Sequence, residues 1–369
     1  MPGLSYGVSH HGETIHRANF GFRDVDANLA PTSDTIYGIG SMSKAFTAAA
    51  IGILVEDGRL SWNTLVRDVL PAFNSSVSQM NEQLTVLDLL SHRSGLAGPN
   101  DIWTGSNSVP LLDKSQTVPT FNSFGAVNPF RGQFHYNNWG YAMAGEVIEA
   151  LSAQSWGTFL EQKLIKPLKM DRSFTTRSAF KNENDVAKPY GALDNASVFP
   201  LAEIQMEDGT IMAPAGAVRS TVNDMLKWSA ALLSAYKDRL ASGQGSTTGS
   251  PLKQVPIQLT GHIPMMAPYY LERTYGMVGY EQNCQALWER LAVTGYRERN
   301  ANSWRRRSGI TCDIPSRKHG WIHLFNISPA WKQQCRCCPD KFYSTQRSGR
   351  LGRRTSPGNP TGQPKSSRL

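Results

Sequence analysis

The chain of 369 residues predicts an α+β fold. Two observations lead there: an alternating segment that turns back on itself almost at the first residue, and a series of helix-patterned segments behind it. The uneven distribution of charge and cysteine then says where the fold should end. Lys and Arg total 38 against 29 Asp and Glu, a formal net charge of +9. From Val278 onward 17 Lys and Arg face 5 Asp and Glu, which leaves 21 against 24 before it. The basic balance therefore belongs to the last quarter of the chain and argues for no nucleic-acid or membrane partner. All five cysteines (Cys284, Cys312, Cys335, Cys337 and Cys338) also lie there, so the body carries no disulfide framework. With no basic-then-apolar leader and no apolar run of membrane-spanning length, the expectation is a soluble cytoplasmic protein. Residues 1–277 are expected to form the domain and 278–369 a basic, disordered tail.

The elements follow in order. "LSYGVSHHGETIHRANFGFRD" (Leu4 to Asp24) alternates and turns at His11-Gly12, the pattern of a β-hairpin. "SMSKAFTAAAIGILVE" (Ser41 to Glu56) is helical and apolar, stopped by Asp57-Gly58. "LTVLDLLSHRSGL" (Leu84 to Leu96) reads as a short helix ending in a turn, and Gly95 to Gly132 as a polar loop. Asn137 to Leu168 gives two helices broken near Ser155-Trp156-Gly157. Ser220-Thr221 starts a further helix. Apolar patterning fades from Gly243, and the Gly/Pro/Ser-rich end should be disordered.

The chemistry-bearing candidates begin with "GSMSKAF". A serine hydroxyl attacks an acyl group only with a base in reach and donors for the developing oxyanion. Ser41 and Lys44 are three residues apart, so one helical turn puts them on one face. The helix N-terminus would favour a developing anion, and its field together with burial would help Lys44 lose its proton. The spacing alone leaves open a plainer alternative, an N-capping Ser41 and a solvated Lys44. "FHYNNWGYAMAG" adds Tyr136-Asn137-Asn138 ahead of a helix: a phenol able to relay a proton and an amide able to orient Lys44 and a substrate carbonyl.

These two stretches, with "VLDLLSHRSGL" and "APAGAVRSTVNDMLKW" in register behind them, resemble the β-lactamase-related serine hydrolases. That family takes in class C β-lactamases, D-alanyl-D-alanine carboxypeptidases, esterases and fungal transesterases. The resemblance implies an antiparallel sheet flanked by helices, with a mainly helical region inserted. It makes Ser41 the acylated nucleophile, Lys44 its base, Tyr136 the proton relay and Asn138 a positioning amide. The Ser41 N–H would be half of the oxyanion hole. No cofactor and no metal is implied, and the partner is a small-molecule acyl substrate. "SHRSGL" is a structural hallmark, so His92 is not read as a triad member. The texture is closest to the fungal transesterase branch, which implies hydrolysis or acyl transfer in secondary metabolism.

The sequence departs from the family in one place. A K-[ST]-G or H-x-G strand should follow a Y-G-x-G-W stretch, which Tyr275-Gly276-Met277 begins. In frame the nearest match is Lys318-His319-Gly320, whose flanks do not alternate. From Val278 the residues resemble a family gene read in another frame. With one base restored after Met277, codons for "MVGYEQNCQALWERL" can spell M-G-W-V-R-T-E-L-P-G-A-L-G-A-I-G. "IPSRKHGWI" (Ile314 to Ile322), read one nucleotide later, can spell Y-H-R-G-N-M-V-G-Y, which holds an H-x-G. The expected consequence is an incomplete sheet with a bare-edged hairpin. The alternative to an active enzyme is a catalytically inactive remnant, since one lost oxyanion donor costs about 2.7–4 kcal/mol. On the same reading Cys335-x-Cys337-Cys338 is no metal site, and "SWRRRSG" (Ser303 to Gly309) no nucleic-acid site.

Overall fold

The computed structural model describes residues 2–10, 12–105, 108–243, 246–265 and 273–277, and the backbone of 280–282 and 322–327. The five cysteines, Lys318-His319-Gly320 and Ser303 to Gly309 lie outside the described residues. The predicted hairpin forms from β1 (Gly3–His10) and β2 (Glu13–Gly21), with Gly12 at φ 85° in the turn. A third strand, Ile322–Ile327, pairs antiparallel with the other edge of β1, Val8 opposite Leu324. In this order the sheet has three strands, and β1 has a neighbour where the sequence predicted a bare edge.

Alternation in β1 sets what lies against the sheet. Its buried positions are Gly3, Ser5, Gly7 and Ser9, while Leu4, Tyr6 and Val8 are half-exposed. Small side chains let a helix come close. A Cβ on Gly7 would stand 2.7 Å from Leu226 Cδ1 on the helix Val222–Ser242. That helix starts behind Ser220-Thr221 as predicted, and the Asp224 N–H donates to Thr221 Oγ1.

Behind the sheet lies a helical core. After the two-residue strand β3 (Tyr37–Gly38), the helix α1 (Ser43–Glu56) is buried from Ser43 to Leu54, because "SKAFTAAAIGIL", Lys44 apart, is small or apolar on every face. It ends where predicted, with Gly58 at φ 69°. Then come α2 (Val66–Val69), α3 (Ser78–Gln83) and α4 (Val86–Leu90). Thr85 caps α4 in a reciprocal capping box with Asp88. It is the short helix ending in a turn that the sequence predicts. The Ser91 hydroxyl turns back onto the Leu87 carbonyl at 2.7 Å, and His92 takes a left-handed φ of 58°.

The stretch read as a loop holds a 3-10 turn, Lys114–Gln116, that leads into α5 (Thr117–Asn122), which anchors through buried Phe121. Next, α6 (Asn138–Ser152) is capped by Asn137, whose Oδ1 accepts from the Trp139 N–H at 2.9 Å. The predicted break follows, with α7 (Trp156–Leu160) starting on the Ser155 cap and running into a π turn at Glu161–Ile165. Beyond α8 (Arg177–Phe180), the four-residue helix α9 (Ala213–Gly216) lies against both α1 and α6. Gly145 makes this possible, since a Cβ there would meet Pro214 Cγ at 2.2 Å. A second three-stranded sheet contains Ile263–Pro264, Arg273–Tyr275 and Tyr280–Gln282.

Candidate active site

All four residues singled out from the sequence meet at one point. Ser41 does not sit in α1 itself but in a 3-10 turn, Gly40–Met42, that feeds it. Gly40 supplies the left-handed φ of 54° that the turn requires, and the Ser41 side chain is left exposed. Lys44, one turn on, is 2 % exposed. Its Nζ donates to Ser41 Oγ at 3.1 Å, to Asn138 Oδ1 at 2.7 Å and to the Ala215 carbonyl at 2.7 Å. The Tyr136 hydroxyl donates to the same Ser41 Oγ at 2.7 Å. The spacing-only alternative of a solvated lysine is thereby excluded.

Burial pushes the Lys44 ammonium down from 10.5 to about 7. Among the described residues no carboxylate pairs with it; its neighbours are two carbonyl oxygens, a hydroxyl and the rings of Tyr136 and Tyr141 at 5.0 and 5.3 Å. The three hydrogen bonds account for the three protons of the charged form. A neutral amine has two, and the strong carbonyl acceptors Asn138 Oδ1 and Ala215 O hold them. The lone pair is then left facing Ser41, whose O–H can donate to it. This geometry suits proton abstraction from a serine.

Several contributors carried no signal in the sequence. Asn100, in the segment read as loop, accepts from Asn138 Nδ2 at 2.8 Å and so turns Asn138 Oδ1 toward Lys44. Ala215 acts through its backbone carbonyl, which no residue type announces. Below it, Thr47 donates to the Pro214 carbonyl at 2.8 Å and accepts from Trp156 Nε1 at 2.9 Å, which ties α9 to α1 and α7. Tyr275, from the predicted Tyr275-Gly276-Met277 stretch, sets its ring tilted against His92 with centroids 4.8 Å apart, and burial raises its hydroxyl well above 10.0. Among the described residues no group of His, Cys, Asp or Glu is arranged to hold a metal ion. No helix among them is long and apolar enough to cross a membrane.

Comparison with known proteins gives this site a context. A family model described as Beta-lactamase matches residues 1–288. The "Unguisins hydrolase ungD'" of Aspergillus campestris is 26% identical over 302 residues, covering 80% of this chain and 55% of that protein. "Penicillin-binding protein 4" of Amycolatopsis lactamdurans is 32% identical over 175 residues, 47% of this chain and 45% of its own length. The chain thus spans about half the length of these curated relatives. Among solved structures, the octameric penicillin-binding protein homologue from Pyrococcus abyssi superposes with a TM-score of 0.63 at 26% identity, over 76% of this chain and 60% of that one. The penicillin-binding protein from Bacillus halodurans, at 24% identity and a TM-score of 0.60, shares the fold over 75% of this chain and 79% of its own. With the family model matching most of its length, the chain belongs to the beta-lactamase family of serine hydrolases.

Proposed function

We propose that this chain attacks an ester, amide or thioester acyl group with Ser41 and passes through an acyl-enzyme. The observation that carries the reading is Lys44. It is buried, holds its two carbonyl acceptors at 2.7 Å, and faces Ser41 Oγ at 3.1 Å. Neutral Lys44 takes the Ser41 proton as Oγ bonds to the acyl carbon, and a tetrahedral oxyanion forms. The Ser41 N–H, at the turn into α1, is one donor to that oxyanion. Tyr136, whose hydroxyl already touches Ser41 Oγ, passes the proton on to the departing alkoxide, amine or thiolate. The acyl carbon–leaving-group bond breaks, and water or another hydroxyl then releases the acyl group from Ser41. Asn138 holds Lys44 while its own amide is oriented by Asn100.

Both hydrolysis and transfer to a second hydroxyl fit this site, and the relative named as an unguisins hydrolase favours hydrolysis. The test is labelling of the folded full chain by a fluorophosphonate, with Ser41→Ala as control. Labelling that the substitution abolishes is the expected result. A folded chain that takes no label is the catalytically inactive remnant instead.

A further inference from the structure

His92 is outside the proton-transfer path, yet it touches the chain on both sides of Tyr136. Its carbonyl accepts from the His135 N–H at 2.9 Å, and its Nδ1 accepts from the Asn137 N–H at 3.1 Å. Between those two residues stands Tyr136, whose ring centroid lies 4.5 Å from the imidazole. The side chain is 1 % exposed and sits on backbone at φ 58°, which swings it from the end of α4 under the start of α6. We infer that His92 is the positioning residue for Tyr136: it clamps the backbone at 135 and 137 and thereby sets the phenol over Ser41. The inference rests on the proton-relay reading of Tyr136.

The chemistry asks for an acceptor here and not merely for a ring. The Asn137 N–H is the donor immediately ahead of the first turn of α6, and Nδ1 is what satisfies it. Nδ1 can accept only if it carries no proton, so the imidazole proton sits on Nε2. That nitrogen is buried and has no hydrogen-bond partner among the described residues. An apolar side chain would fill the same space without that cost, so the acceptor is the feature the site uses. The ring is kept neutral by burial first, and then by Lys44 and His135, which push its pKa well below 6.5.

Three substitutions separate this role from simple core filling. His92→Phe keeps a ring and removes the acceptor. His92→Asn keeps an acceptor at the same distance from the backbone and tolerates positive φ. Tyr136→Phe removes the relay itself. The readout is kcat/KM of the full chain on p-nitrophenyl butyrate, whose leaving group needs no proton, and on ethyl butyrate, whose leaving group does. His92→Phe should lose about tenfold more on the ethyl ester than on the p-nitrophenyl ester. His92→Asn should keep the native ratio of the two within about twofold, and His92→Phe should add no loss in a Tyr136→Phe background. If near-ultraviolet circular dichroism shows that His92→Phe does not fold, His92→Ala replaces it with the same expectation.

Equal losses on both esters would overturn the inference, as would an Asn variant no better than Phe, or losses that multiply with Tyr136→Phe. A native chain that acquires no Ser41 adduct from either ester or a fluorophosphonate fails the reading of the site itself, and this inference with it. A native chain that does react, with variants of the wrong pattern, fails this inference alone.

Discussion

Lys44 occupies a place where its charge has lost its water and, among the described residues, gained no counter-charge, and that is the source of its usefulness. Burial brings its pKa to about 7, so the neutral fraction grows as pH rises toward and through neutrality. The rate of Ser41 acylation should therefore climb about tenfold per pH unit on the acid side and level off above about pH 7, read as labelling rate against pH. Lys44→Ala should lower the plateau by about 10²–10⁴-fold, measured on folded protein. The convergence of these four side chains was legible in the sequence, because Ser41 and Lys44 lie one turn apart and Tyr136 and Asn138 stand together at the start of α6. Their supports were not. Ala215 contributes a carbonyl, Asn100 sits in a segment without pattern, and the left-handed turn at His92 has no glycine to mark it.

At the scale of elements, the site depends on how α9 is seated between α1 and α6. The Ala215 carbonyl reaches Lys44 only because Pro214 lies on Gly145, where a Cβ would stand 2.2 Å from the ring. Gly145→Ala should destabilise the fold by about 1–3 kcal/mol in urea unfolding, and should slow labelling as well, since α9 must move. An alanine variant with native stability and native labelling would show that α9 is not held this way. The existence of the longer helices, α1, α6 and Val222–Ser242, was readable from periodicity, whereas helix ends were decided by side chains. Ser91 and His92 end α4 inside the span read as a short helix ending in a turn, and they do so through a side-chain hydrogen bond and a left-handed backbone. In α5, Phe121 anchors a helix too short and too polar to show a period.

Across the molecule, the sheet is the part least legible from the chain. Alternation announced the hairpin, but the face turned to the helix is the Gly/Ser face of β1, a choice set by close packing and not by hydrophobicity. Among the described residues β2 is an edge, with Ile15 and Phe20 at 59% and 56% exposure, and β1 is covered on its other side by the strand 322–327. Leu324→Pro should unpair that strand and bare β1, so the variant should self-associate in size-exclusion chromatography with light scattering. A monodisperse variant identical to the parent would contradict that pairing. The charge asymmetry of the last quarter makes a separate prediction. Nucleotides at codons 277 to 322 should permit the alternative frames that spell the H-x-G strand, and codon choices that forbid them would end that explanation.

The central claim is that Ser41, activated by Lys44, becomes acylated. The most direct measurement is peptide-level mass spectrometry of the full chain quenched in acid during turnover of p-nitrophenyl butyrate. The account predicts a butyryl adduct on the peptide carrying Ser41, lost in Ser41→Ala and strongly reduced in Lys44→Ala. A folded chain with no adduct, or with the adduct on another residue, would contradict it.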